Sequence, residues 1–180
     1  MPGVLLVAAT ERELCGHDGL VCGIGPVESS AATARALAEG AWDCVLHVGI
    51  AGGRALPPLK IVVGSEARYT DLTAAIPVVD RVAADGQLLA AARATLPEAM
   101  MLPIGTSAAV GGVHRDLAVE AMEGFGVLRA AALAGVPALE VRVVSNEIGE
   151  PDRALWQVDE AIAVLSTVIP SLIEALPASG

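Results

Sequence analysis

Aromatic residues are almost missing from this chain, although apolar residues dominate it. Phe, Trp and Tyr make up 2% of the 180 residues, whereas hydrophobic residues make up 54%. A chain of this length can bury a sizeable core as one domain, and without aromatics that core has to be built from Ala, Val, Leu and Ile. Charged residues are also few, at 18%. A surface this poor in charge favours a homodimer or larger homo-oligomer, in which part of the surface is buried.

Positive charge is scarce as well. The chain has 11 Lys and Arg residues against 21 Asp and Glu residues, which gives a net charge of −10 at pH 7. This balance argues against a nucleic-acid backbone or an anionic membrane as a partner. No basic segment precedes the first apolar run, so we expect no signal peptide. No uninterrupted apolar run reaches the length of a membrane span.

Cysteine is rare and is not arranged for metal binding. Cys15, Cys22 and Cys44 form no Cys-x-x-Cys pair and no zinc spacing. The simplest interpretation is a cytoplasmic protein with reduced thiols and no bound metal. A thiol nucleophile at Cys15 beside His17 would lack a partner to orient it, so we interpret these two as a structural cysteine and a surface histidine.

Apolar runs typical of buried strands alternate with helical patterns along the chain. Strands are predicted over residues 4–9, 20–22, 43–48, 60–69, 99–104 and 138–144. Helices are predicted over 28–39, 85–94 and 152–176, and one more begins at Met122-Glu123-Gly124 and ends at Gly135. Asp152 should cap the last helix, which Pro170 should bend or break. We therefore expect an α/β fold: a single domain over residues 1–180 with a central, mostly parallel mixed sheet of five or so strands, flanked by helices.

Candidate ligand-binding residues follow three of these strands, at the sheet edge where such folds bind ligands. Glu11 and Glu13 follow the first strand, and Ser145 and Asn146 follow the last. Residues 49–53, Gly-Ile-Ala-Gly-Gly, are predicted to be a turn whose N–H groups can approach an anion or a sugar. This turn lacks the Lys-Ser/Thr ending of a P-loop, so ATP is not expected as a ligand.

Each of these residues also has a purely structural interpretation. Glu11, Glu13 and Glu123 could be first-turn residues of helices, where acids are favoured, and Asn146 could be a turn residue. His47 lies inside a strand, as a packed core histidine would.

Arg142 also lies inside a strand, where we expect it to pair with a buried acid, Glu140 or Glu120. Neither this arginine nor His47 is therefore expected to contact a substrate.

Six segments in a fixed order resemble one superfamily. They read VLLVAATEREL, GIGPVESSAATARAL, VLHVGIAGG, VVGSEARYTDL, AMEGFGV and VPALEVRVVSNEIGEPDR. Together they are similar to the purine nucleoside phosphorylases and the methylthioadenosine/adenosylhomocysteine nucleosidases. The ending SNEIGEPDRALW resembles the futalosine hydrolase family within this superfamily. The resemblance implies the nucleoside phosphorylase fold, a small-molecule nucleoside substrate, no cofactor, and a homodimer or larger assembly.

The resemblance also implies a role for each candidate residue. Glu13 matches the glutamate that activates the attacking water, although Glu11 could be the aligned residue instead. The other matched residues are Met122 and Glu123 for the ribose, Ser145 and Asn146 for the purine, and Gly49, Ile50, Ala51 and Gly52 for the region of the ribose and the nucleophile. His114 and Arg115 are weaker candidates for contacting the substrate's carboxylate end.

The implied chemistry is hydrolysis of an N-glycosidic bond, which builds positive charge on the ribose and negative charge on the leaving purine. A carboxylate at the ribose favours that cationic transition state, and a second carboxylate can take a proton from water. Adenine-cleaving nucleosidases have Asp where this chain has Asn146. An amide donates at one end and accepts at the other, which suits a 6-oxopurine. The expected reaction is release of hypoxanthine from futalosine, a step of menaquinone synthesis.

Two other enzymatic functions and one non-enzymatic function remain open at this point. A phosphate-dependent, inosine-type phosphorylase is disfavoured because Ile50 stands where phosphorylases have a serine, and because Glu13 would repel a phosphate dianion. A methylthioadenosine/adenosylhomocysteine nucleosidase is disfavoured by Asn146. A catalytically silent nucleoside-binding module would bind hypoxanthine nucleosides without turnover.

Overall fold

The structure is a computed structural model that describes residues 3–110 and 116–176; the candidates His114 and Arg115 lie outside this range. The strands are β1 (Gly3–Ala8), β2 (Leu20–Val21), β3 (Trp42–Gly53), β4 (Ile61–Tyr69), β5 (Arg81–Ala83), β6 (Met100–Thr106), β7 (Val119–Ala121) and β8 (Ala138–Glu147). The helices are α1 (Pro26–Glu39), α2 (Gly86–Thr95), α3 (Gly124–Ala134) and α4 (Val158–Ala175), with a 3-10 helix at Arg153–Leu155.

The eight strands form one mixed sheet with helices packed against it. Five of the pairings between described strands are parallel and three are antiparallel. The expected α/β fold with a mostly parallel mixed sheet is therefore confirmed. The sheet order is β2-β1-β3-β7-β6-β4-β5, and β8 pairs with both β3 and β4. Strands β3, β8, β4, β6 and β7 thus close into a ring, which the sequence pattern did not indicate.

Three apolar clusters stabilise this arrangement, and small aliphatic side chains dominate all of them, as the composition requires. One cluster packs α2 and α4 against the sheet, through residues such as Leu88, Leu165 and Leu172. A second packs α3 against β1 and β3, through Val127 and Leu128. The third takes residues from all five strands of the ring: Ala51, Val62, Ile104, Val119, Ala121 and Val144. Among the described helices, none is long and apolar enough to cross a membrane.

The glycine-rich segment 49–53 is not a turn, contrary to the prediction. It continues β3 to Gly53 and pairs in parallel with β8, while Gly52 and Gly53 also pair with β7. The glycine at position 53 is needed because the strand packs closely against the Val144 side chain. A Cβ on Gly53 would lie 2.8 Å from Val144 Cγ1, closer than real contacts allow. Glycine patterns indicate close backbone approach as readily as a turn, and the pattern alone does not distinguish the two.

The alanine-rich helix begins two residues later than predicted. Residues 119–121 form β7, which pairs with β3 and β6, so Met122 and Glu123 lie between a strand and α3 rather than inside the helix. Three residues are too few to show an alternating pattern. The predicted end is correct, because Gly135 adopts a left-handed conformation with φ 71° that favours glycine.

The last helix also begins later than predicted. Asp152 caps the short 3-10 helix, where its carboxylate accepts a hydrogen bond from the Ala154 backbone N–H at 3.0 Å. The Gln157 N–H donates to the Ser145 carbonyl at 2.8 Å, which ties the chain to the end of β8 before α4 begins. Pro170 does not break α4; burial of the neighbouring Ile169 and Leu172 stabilises the helix there.

Candidate active site

A cavity of about 520 Å³ opens at the carboxyl ends of β1, β3 and β8. Six separate stretches of the chain contribute to its wall: the turns after β1, Ile24 before α1, the end of β3, residues 109–110 after β6, the end of β7 with its link to α3, and the segment from β8 into α4. The candidate residues that line it are Glu13, Ile50, Ala51, Gly52, Met122, Glu123, Ser145 and Asn146. Gly49 lies beneath the wall, fully covered. The tertiary structure thus brings together candidates that are up to 133 positions apart, from Glu13 to Asn146.

Glu13 is held on the cavity wall by a tight series of turns. Its neighbour Leu14 is buried in the core, and only 6% of Glu13 is exposed. The Thr10 hydroxyl donates to Glu13 Oε2 at 2.8 Å, and the Ile50 N–H donates to Oε1 at 3.0 Å. The segment after β1 contains no helix, so a helix dipole does not explain the acidic residues there. Glu11 is exposed to solvent.

Glu123 is buried between β7 and α3, with 4% of its surface exposed. Its Oε1 accepts a hydrogen bond from the Gly25 N–H at 3.1 Å. Gly25 has φ 95°, a conformation that favours glycine, and this explains the Gly-x-Gly turn before α1. The Arg142 Nη2 donates to Glu123 Oε2 at 3.3 Å. Two donors therefore fix the carboxylate from behind the cavity.

Arg142 is fully buried on β8 and connects several polar groups. Its Nε donates to Glu140 Oε1 at 2.8 Å, which confirms the prediction of a buried acid as its partner. Its Nη2 also lies 2.5 Å from His47 Nε2. The His47 Nδ1 is 3.0 Å from the Val7 carbonyl, so Nδ1 carries the proton and Nε2 accepts from the arginine. Burial and the nearby guanidinium lower the pKa of His47 well below its ordinary value. His47 is thus a neutral, packed histidine, as predicted.

Ser145 and Asn146 lie inside β8, which continues to Glu147 and pairs there with β3, so the prediction that they follow the last strand is wrong. The two residues differ in exposure. Ser145 is buried, and its hydroxyl is 2.8 Å from Asn146 Oδ1. Asn146 is half-buried, and its Nδ2 donates to the Glu147 carbonyl at 3.0 Å. Each end of the amide has one protein partner and, by its chemistry, room for one more. Gly52 pairs with Asn146 across the sheet and presents no side chain to it.

Several wall residues were not predicted. Trp156, Val158 and Ile162 line the cavity from the segment that leads into α4. Val158 and Ile162 recur at helical spacing with Leu165, Ile169 and Leu172, and this apolar pattern does not show which residues meet a cavity rather than the core. Trp156 lies before α4 and outside that pattern. Arg142 was correctly paired with an acid, but its bond to Glu123 was missed. The Glu-x-Arg spacing on a strand, which places both side chains on one face, is the signal that points to this cluster.

The described residues contain no group of three or more His, Cys, Asp or Glu side chains that could hold a metal ion. The three cysteines are free thiols. Burial, followed by the nearby Glu13, raises the pKa of the Cys15 thiol. A thiol held neutral is a poor nucleophile, which agrees with the structural interpretation of Cys15.

Replacement of Gly49 by Ala should destabilise the protein. The new Cβ would lie 2.2 Å from Arg142 Nη1 and 2.6 Å from Glu13 Oε1. Both side chains are held in place by hydrogen bonds, so we expect a loss of about 1–3 kcal/mol, typical of overpacking. For a chain of this length each kcal/mol lowers the melting temperature by about 2–4 °C. Gly86→Ala is the matched control, because its Cβ would meet nothing within 4 Å. Equal melting temperatures for the two variants would contradict a packing role for Gly49.

Comparison with known proteins adds independent findings. The sequence model of the phosphorylase superfamily matches residues 19–176. A futalosine hydrolase of Streptomyces coelicolor is 37% identical in an alignment that covers 97% of this chain and 84% of that protein. A futalosine hydrolase of Acidothermus cellulolyticus is 32% identical, with coverages of 92% and 78%.

Solved structures share the fold. A methylthioadenosine/adenosylhomocysteine nucleosidase of Colwellia psychrerythraea, in complex with adenine, superimposes with a TM-score of 0.87 at 20% identity and covers 99% of this chain and 97% of that one. A futalosine hydrolase mutant of Helicobacter pylori superimposes with a TM-score of 0.86 at 16% identity, with coverages of 98% and 100%. At such identities the likeness concerns the fold alone.

Proposed function

Because the chain belongs to the phosphorylase superfamily and, within it, to the futalosine hydrolase family, we propose that it hydrolyses the N-glycosidic bond of futalosine. The products are hypoxanthine and dehypoxanthine futalosine, and the reaction belongs to menaquinone biosynthesis. The observation that carries the proposal is the meeting of two buried carboxylates, Glu13 and Glu123, with one amide, Asn146, in a single cavity.

Glu123 holds the sugar in this proposal. The Gly25 N–H and Arg142 anchor its two oxygens from behind, and a carboxylate oxygen has lone pairs to spare for the ribose hydroxyls. Its negative charge stabilises the positive charge that develops on the ribose as the bond to the base breaks. Met122, beside it on the cavity wall, packs against the apolar side of the sugar.

Glu13 activates the water. The Thr10 hydroxyl and the Ile50 N–H orient its carboxylate, and a carboxylate within hydrogen-bond reach of water can act as general base. The water oxygen bonds to the anomeric carbon, and Glu13 takes its proton. The carbon–nitrogen bond breaks, and its electron pair leaves with the purine.

Asn146 stabilises the departing purine. Its amide donates to the 6-oxo group and accepts from N7–H, a pattern that suits hypoxanthine and not adenine. An amide does not transfer a proton, so the departing purine takes its proton from solvent. The Glu147 carbonyl can only accept, so its bond from Asn146 Nδ2 fixes which end of the amide donates and which accepts.

Water, rather than phosphate, is the nucleophile. The Ile50 side chain has no group that bonds an anion, and its backbone N–H is already bonded to Glu13. The Glu13 carboxylate would also repel a phosphate dianion at short range.

The test is incubation with futalosine, inosine and methylthioadenosine, each with and without phosphate, followed by chromatography of the free base. We expect hypoxanthine from futalosine at the same rate in both conditions. Purine release that requires phosphate would identify a phosphorylase, and preferential cleavage of methylthioadenosine would identify an adenine-specific nucleosidase. Tight binding of hypoxanthine nucleosides without release of base would identify a binding module.

We also propose that the protein is a cytoplasmic homodimer or larger homo-oligomer. Ile24 and Val110 line the cavity and are 61% and 57% exposed, so the cavity has an apolar rim that a second subunit could cover. The three free thiols are compatible with a reducing compartment. Sedimentation at micromolar concentration measures the assembly, and a monomeric mass would contradict it.

A further inference from the structure

Glu140 is the one carboxylate of the Arg142 cluster that does not reach the cavity. It is 0% exposed, and its Oε1 accepts from Arg142 Nε at 2.8 Å. It packs against the start of α3, where Gly124 has no side chain. A Cβ on Gly124 would lie 2.1 Å from Glu140 Oε2. A buried carboxylate costs considerable free energy, and the fold keeps a glycine in order to accommodate it.

Arg142 connects Glu140 to both carboxylates of the cavity. Its Nη2 donates to Glu123. Its Nη1 lies 3.4 Å from the carbonyl of Ile50, and the N–H of the same residue holds Glu13. A shift of the guanidinium would therefore move both the sugar-binding and the water-activating group.

The cluster carries excess negative charge. Glu13, Glu123 and Glu140 face a single guanidinium, because His47 is neutral. Burial raises the pKa of the nearby Cys22 thiol to about 12, so this group is neutral too. Burial also raises the pKa of Glu140, and the Arg142 guanidinium opposes that rise. The observation that supports the carboxylate form of Glu140 is geometric: its Oε1 lies 2.8 Å from Arg142 Nε in a buried ion pair.

We propose that Glu140 is a positioning residue of this site. It holds the Arg142 guanidinium in place and compensates much of its positive charge. The negative charge of Glu123 therefore still acts on the ribose. The inference rests on the proposed function and deepens it. Without the charge on Glu140, Arg142 would pair with Glu123 alone and weaken the field that favours a cationic ribose.

Glu140→Gln tests this, because it keeps the shape and removes the charge. We expect kcat to fall about tenfold to a hundredfold, the range for a hydrogen bond to a charged group, with KM nearly unchanged. Removal of the Glu140 charge also leaves the positive charge of Arg142 less compensated, which favours the anionic state of the cavity wall. The acid limb of the pH–rate profile should therefore move to lower pH, which a purely structural defect would not produce.

Glu66→Gln is the matched control. Glu66 and Arg68 form the same Glu-x-Arg pair on β4, with Arg68 Nε 2.6 Å from Glu66 Oε1, and neither residue lines the cavity. We expect wild-type kcat and an unmoved acid limb for this control. If Glu140→Gln behaves like Glu66→Gln in both measurements, the proposal is overturned.

A binding measurement separates this inference from the proposed reaction. Calorimetry would compare a neutral hypoxanthine nucleoside with an analogue whose ribose is replaced by a protonated pyrrolidine. Glu140→Gln should lose affinity for the cationic analogue by at least tenfold and keep its affinity for the neutral one. Equal losses for the two ligands would overturn the inference, whereas absence of turnover in the wild type would overturn only the proposed function.

A second variant covers the case in which Glu140→Gln does not fold. Glu140→Asp keeps the negative charge but shortens the side chain by one methylene, which moves the carboxylate away from Arg142. We expect a folded protein with reduced kcat, unchanged affinity for the neutral nucleoside and an acid limb close to that of the wild type. Wild-type kcat in a folded Glu140→Asp would contradict a positioning role.

Discussion

Glu13→Gln should lower kcat by about 10²–10⁴-fold, the usual contribution of a general base, while the substrate still binds. The glutamine keeps an oxygen to accept from the Ile50 N–H, which now lies 3.0 Å from Glu13 Oε1. It has no basic group that could take a proton from water. The cavity therefore retains its shape and loses its general base. Single-turnover kinetics on futalosine, together with calorimetric binding of the same nucleoside, measure the two effects separately.

The neighbouring acid supplies the control for this experiment. Glu11 is exposed, two residues before Glu13, and its replacement by Gln removes the same charge from the same loop. We expect near wild-type turnover for Glu11→Gln. A large loss in Glu11→Gln with little change in Glu13→Gln would show that Glu11, and not Glu13, is the base. Unimpaired turnover in both variants would show that neither acid of this loop takes part in catalysis.

Asn146→Asp should change which purine is released. A carboxylic acid can protonate N7 and then accept from a 6-amino group, whereas the amide of Asn146 donates to a 6-oxo group. Mismatched hydrogen-bonding groups at a buried site are rejected strongly, so the ratio of kcat/KM for 6-oxo over 6-amino nucleosides should fall at least about a hundredfold. Parallel assays with inosine and adenosine, which differ only at this position, measure the ratio.

Ser145→Ala distinguishes selectivity from general damage. The Ser145 hydroxyl contacts Asn146 Oδ1 at 2.8 Å, so its loss should loosen the amide and slow both substrates. Because the donor and acceptor set of Asn146 is unchanged, the preference for the 6-oxopurine should weaken far less than in Asn146→Asp. An unchanged ratio in Asn146→Asp would refute the proposed role of the amide in selecting the purine.

The sequence identified the residues of the site more accurately than the strands and turns that carry them. Glu13, Glu123 and Asn146 were all singled out from the sequence, and one cavity contains all three. Asn146, however, lies inside β8 and not beyond its end. A buried acid, Glu140 or Glu120, was also predicted as the partner of Arg142, because a charged residue inside an apolar strand requires one; the structure shows that it is Glu140. Such inferences depend on local patterns, which the neighbouring residues in the chain largely determine.

Other elements and wall residues could not be predicted, because they depend on contacts between residues far apart in the chain. The pattern of residues 49–53 is compatible with a turn, and only pairing with β7 and β8 makes it a strand. β7 itself is too short to be recognised without its neighbours. Val158 and Ile162 belong to the apolar face of the last helix, and only the tertiary structure shows that these two residues line the cavity.

The sequence by itself determined the alternation of strands and helices, the aliphatic core and the chemical identity of the acids and the amide, because periodicity and residue type are local properties. Only the tertiary structure decided that five strands close into a ring and that one buried guanidinium joins Glu140 to the carboxylates of the cavity. The reason is physical: Arg142 meets His47 across 95 positions of the chain. A contact of that separation exists only when folding has brought the two strands together.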